Sequence, residues 1–99
     1  MKLRLLEVAE VELDEAVAWY ADKGQAAVTL FLAEIATARS RILDHPFAWH
    51  PLGDQFRRYR LNRFPYGLIY VVDTDEIVIL AVAHHSRRPD YWRDRLRNG

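Results

Sequence analysis

The hydrophobic period of this chain changes once, and that change limits what it can fold into more than any other feature. Between Leu13 and Ile42 the apolar residues recur at helical spacing. Between Phe56 and Ala83 they alternate or run without a break. Leu13, Ala16, Val17 and Tyr20 mark one face of a first helix. Its opening turns hold Glu10, Glu12, Asp14 and Glu15, where the helix dipole favours negative charge. Gly24 is placed to end it as a C-cap. A second helix starts at Gln25, carries Ala27, Leu30, Phe31, Ile35, Ala38 and Ile42 on one face, and runs to about His45, where Pro46 stops it. Asp22, Lys23 and Gly24 alone link the two, a connection short enough for an antiparallel hairpin.

The segments around the hairpin read as strands. Leu3 to Val8 is short and apolar and fits a first strand, while Phe47 to Gln55, with Pro51 and Gly53, reads as a loop. Phe56–Leu61, Tyr66–Val72 and Glu76–Ala83 are three further strands, separated by turns at Asn62–Pro65 and Asp73–Asp75. The last two are nearly all apolar, which predicts central strands covered by the hairpin. Pro89 stands at the first position of a short terminal helix over residues 89–95. The order β-α-α-β-β-β plus a tail predicts an α+β fold, a helical hairpin on a mainly antiparallel sheet, in one domain spanning residues 1–99.

Composition narrows the function classes. With 51% apolar and 28% charged residues the chain is neither a disordered tail nor a membrane span. The absence of cysteine removes disulfide scaffolds, thiolate zinc sites and cysteine nucleophiles. His45 and His50 flank a loop without a carboxylate cluster at metal spacing, so no metal is expected, and with four glycines and no G-x-G-x-x-G or G-x-x-x-x-G-K-[ST] motif no cofactor is expected either. The first residues hold no apolar run of signal-peptide length, and a cytoplasmic location is expected.

The formal net charge of zero hides a division: the first fifty residues are net acidic and the remainder net basic, and all but Lys2 and Lys23 of the basic residues are arginine. Arginine suits bidentate pairing with phosphate or carboxylate. Arg57, Arg58, Arg60 and Arg63 lie in an acid-free stretch. Strand alternation puts Arg58 and Arg60 on one face and Tyr59 and Leu61 on the other. That face fits a nucleic-acid backbone or an acidic protein, or is simply solvated. His84, His85, Arg87, Arg88 and Tyr91 cluster where the most apolar strand ends. Alternation there puts His84 with Val78, Leu80 and Val82, and His85 with Ile77, Ile79 and Ala81. Trp19, Tyr20, Phe31 and Trp49 exceed what a small core hides easily and predict an interface.

A short opening strand, a hairpin with Trp19-Tyr20 near the end of its first helix, the run R-x-R-L-x-R-F-P-Y-x-L-I-Y from Arg58 to Tyr70, and I-L-A-V-A-H-x-x-R-R-P-x-Y-W from Ile79 to Trp92 together resemble the RelE/ParE superfamily of type II toxins. The resemblance runs from Leu3 to about Arg95. It implies a bacterial growth inhibitor held in a hetero-oligomer by a cognate antitoxin, with no cofactor. The ending R-R-P-x-Y-W is more similar to ParE-like plasmid stabilisation proteins, which implies DNA gyrase as target. On that reading Arg58, Arg60, Arg88, Tyr91 and Trp92 would meet the target, and Trp19, Tyr20 and Phe31 the antitoxin. The alternative is a RelE-like endonuclease cleaving mRNA on the ribosome, with His84, Arg63 and Arg87 as catalytic residues. No lysine follows Lys23, so that enzyme would lack a lysine base. A third reading is a binding module of the same fold without toxicity.

Overall fold

The computed structural model describes residues 1–53 and 55–98. Its elements are β1 (Lys2–Leu5), α1 (Glu7–Ala21), α2 (Gln25–Asp44), β2 (His50–Pro51), β3 (Phe56–Arg60), β4 (Tyr66–Val72), β5 (Glu76–His84) and α3 (Arg95–Asn98). The sheet order is β1-β5-β4-β3-β2. β1 runs parallel to β5, and every other pair is antiparallel. The α+β expectation therefore holds, with a two-residue strand added inside the expected loop.

α1 and α2 lie on one face of the sheet. Phe31, Ile35, Ala38 and Ile42 form the buried stripe of α2, and Ala9, Glu12 and Ala16 that of α1. Phe31 meets Tyr20, Phe64 and Tyr66 with ring centroids 5.0 to 5.6 Å apart. Burying such a ring contributes about 1.5–3 kcal/mol. The loop after α2 is held from the sheet: Tyr70 Oη donates to Pro46 O at 2.6 Å, and the Arg57 guanidinium donates to Phe47 O and Trp49 O, each at 2.9 Å. Burial pushes the Tyr70 phenol up to about 12.

Three local expectations are corrected. Helix α1 starts at Glu7 and is capped by Asp22, and Gly24 instead opens α2 with φ 119°, a left-handed conformation that reverses the chain. Residues 89–94 form successive tight turns rather than a helix. Asp90 takes φ 63°, and Arg93 and Arg95 each donate a backbone N–H three residues back, to Asp90 O and Trp92 O. Finally, β4 pairs Ile69 with Ala81 but Tyr70 with Ile79, leaving Leu80 as a bulge. The bulge shifts the alternation by one residue. Val78, Ala81, Ala83 and His85 thus face away from the helices, while Ile77, Ile79, Val82 and His84 face toward them, contrary to uninterrupted alternation.

Residues 87–96 cross the sheet face opposite the helices as a strap. Trp92 is buried there, its ring 4.9 Å from that of Phe56. The Arg93 guanidinium lies over both rings, at 4.9 and 5.2 Å.

Candidate functional site

Glu12 organises the region around the strap. It is the one buried charged residue among those described. Beyond Ile79 the outer edge of β5 has no strand beside it, because the chain turns into α1 after Leu5. Side chains fill the gap: Val82 N–H donates to Glu12 Oε1 at 3.0 Å, and Arg95 Nη1 donates to Leu80 O at 2.9 Å. Arg95 also grips Glu12 with both terminal nitrogens, at 2.8 and 2.9 Å. Such a bidentate, charge-assisted pair is among the stronger hydrogen-bonded contacts. Tyr91 Oη donates to Glu12 Oε2 at 2.8 Å, and Arg87 approaches the same oxygen at 3.8 Å while stacking 3.9 Å above the Tyr91 ring. Burial and the hydrogen bond to Glu12 push the Tyr91 phenol well up, and the same carboxylate raises Arg95.

Between the strap and the strands lies an open cavity of about 220 Å³. Ile69, Ala83 and Trp92 give it an apolar floor, and Arg58, His85, Arg87 and Arg88 line its rim. Arg58 lies flat across Gly67, where an added Cβ would stand 3.1 Å from Arg58 Cγ. Arg58 Nε is buried without a hydrogen-bond partner among the described residues. The acid at the rim, Asp90, is taken by Arg93 at 3.1 Å. His85 is pushed below the usual histidine range, by burial first and then by the charges of Arg60, Arg58 and His84.

The expected site residues divide accordingly. Arg58 and Arg88 meet at the cavity, and Arg60 shares the Arg58 face beside His85. Tyr91 and Arg87 form a wall that Glu12 holds, and Trp92 is packing. His84 also reaches the cavity, but its Nδ1 accepts the Ser86 N–H at 3.0 Å and its ring abuts Tyr66. Arg63 does not join them. It lines a separate groove of about 260 Å³ with Leu30, Arg41 and Tyr59, beside a turn whose Asn62 and Arg63 backbone N–H groups both donate to Glu34. Of the aromatic residues expected at an interface, Trp19 is 57% exposed, Tyr20 is half-buried and Phe31 is fully buried, because the α2 register turns Leu30 and Leu32 outward instead. The sequence marked Glu12 only as one of the acids at the start of the first helix, although its spacing from Ala9 and Ala16 puts it on the inward stripe of α1.

Among the described residues no three potential metal ligands cluster, and no helix is long and apolar enough to cross a membrane. A solved structure described as the chromosomal ParDE TA system from P. aeruginosa superposes with a TM-score of 0.73. It is 22% identical, and the match covers 85% of this chain and 95% of that one. At this identity it supports the fold alone. No curated protein matches the sequence. Residues 3–89 match the family described as the ParE toxin of the type II toxin–antitoxin system parDE, and the chain therefore belongs to the ParE toxin family.

Proposed function

We propose that this toxin arrests bacterial growth by poisoning DNA gyrase and is neutralised by a cognate antitoxin that covers its helical hairpin. The condition of the cations carries the reading. Arg58, Arg60 and Arg88 have no acidic partner among the described residues, so they are free to meet an anionic target. The groups an RNA-cleaving reaction would use are dispersed: Arg63 lies in another groove, Arg87 leans on Glu12, and His84 Nδ1 is engaged by Ser86. A proton-transfer catalyst needs such groups within hydrogen-bond reach of one reacting centre. The antitoxin half rests on Val8, Val11, Trp19 and Leu30, which the hairpin leaves exposed and which suit an amphipathic partner.

The deciding experiment is induction of the chain in cells, with cleaved DNA–gyrase complexes and mRNA 5′ ends measured side by side. Accumulating cleaved DNA with intact mRNA is the expected result. Site-specific mRNA cleavage without DNA breaks would overturn it in favour of the ribonuclease alternative, and continued growth would leave only the binding-module reading. For the antitoxin, co-expression with the neighbouring reading frame should restore growth and raise the melting temperature of the chain.

A further inference from the structure

The target of a gyrase poison is a protein already holding DNA, so an arginine-lined cavity on the toxin has two candidate occupants: an acidic side chain or a phosphate. Three observations distinguish them. Arg58 and Arg88 converge on one cavity whose only rim acid among the described residues, Asp90, is already paired, so more positive charge gathers there than that carboxylate balances. Arg58 Nε is buried without an acceptor among the described residues, and a buried donor of that kind is nearly always satisfied. Arg60 stands two residues further along the same strand face, about 6.6 Å on, so the charge continues as a line beyond the cavity. A repeating anion fits a line of arginines better than an isolated side chain does. The tetrahedral oxygens of a phosphate accept from two guanidinium forks at once, and the apolar floor at Ile69 and Ala83 suits the sugar beside it.

We propose that this cavity holds a backbone phosphate of a DNA strand, with Arg58 and Arg88 as its two donors and Arg60 against the next phosphate. The assignment rests on the gyrase reading: the toxin contacts the DNA that gyrase has opened as well as the enzyme. Gly67 is part of the device, because only a residue without a side chain lets Arg58 lie flat toward the cavity.

The test uses the purified full chain and a fluorescently labelled single-stranded DNA 12-mer, with anisotropy followed across a salt series. An RNA of the same sequence and a glutamate-rich peptide serve as competing probes. Arg58→Gln and Arg88→Gln should each weaken DNA binding about tenfold to a hundredfold. Each should also reduce the salt slope by about 0.7. Arg58→Lys, which keeps the charge but not the fork, should keep the slope and lose part of the affinity. Arg39→Gln, on the exposed side of α2, should match the parent. Equal binding by the parent and both glutamine variants overturns the proposal, as does a preference for the peptide or for RNA. Gyrase poisoning by a chain that binds no DNA also overturns it and leaves the gyrase reading standing. DNA binding that persists through Arg58 and Arg88 in a chain that does not poison gyrase supports the phosphate site and removes the gyrase target.

Discussion

Glu12→Gln isolates the clasp that closes the strap. The amide keeps the size of the side chain and one acceptor oxygen, which can stay with Val82 N–H, but it no longer balances Arg95. Arg95 is only 16% exposed and would retain Leu80 O and the Tyr91 ring, neither of which carries a balancing charge. Arg87 is more than half exposed and simply turns to water, adding nothing to the loss. Removing one member of a buried pair costs about 3–5 kcal/mol. The residual exposure of Arg95 and the surviving acceptor put the expectation at the lower end, about 3 kcal/mol. For a domain of this size that lowers the melting temperature by roughly 12–24 °C. Urea unfolding of the parent, Glu12→Gln, Arg95→Met and the double variant would measure both the loss and the coupling, with unchanged m-values as the condition for comparing them. A loss below about 1 kcal/mol with no coupling would refute the reasoning, because the pair would then be no better than a surface ion pair.

Three further outcomes follow from the packing. Trp92→Ala removes the ring stacked on Phe56 and should cost about 3–5 kcal/mol, read as an earlier urea midpoint. Gly67→Ala places a Cβ 3.3 Å from the Tyr59 carbonyl as well as against Arg58, and should cost about 1–3 kcal/mol while a chemical-shift map shows Arg58 displaced. His85 should titrate below 6.5 by NMR. Because its folded value is depressed, the unfolded chain takes up the proton first, so stability falls as pH drops from 6.5 toward that folded value, and His85→Gln should flatten this stretch of the stability profile.

How much of this was legible depended on how local each cause was. β4 was readable to the residue because Pro65 and Asp73 bound an unbroken apolar run. The Leu80 bulge was not, since a strand apolar on both faces gives no alternation against which a slipped phase would show. β2 is two residues that pair His50 with Arg58 and Pro51 with Arg57, which no propensity announces. At the site, alternation along β3 placed Arg58 and Arg60 together. Which arginines would be neutralised was hidden, because Glu12 finds Tyr91 and Arg95 from 79 and 83 positions away.

Those separations bear on when the molecule comes into being. A ribosome releases the helical hairpin early, but β1 has no strand to pair with until β5 emerges to sit between it and β4. The last bond to Glu12 must wait for Arg95. Contacts this distant in sequence form slowly, because the intervening chain must close before they give anything back. A nascent chain interrupted anywhere before Arg95 therefore leaves Glu12 without its main counter-charge. The order of synthesis itself delays the closed strap until Arg95 has emerged, long after the helical hairpin.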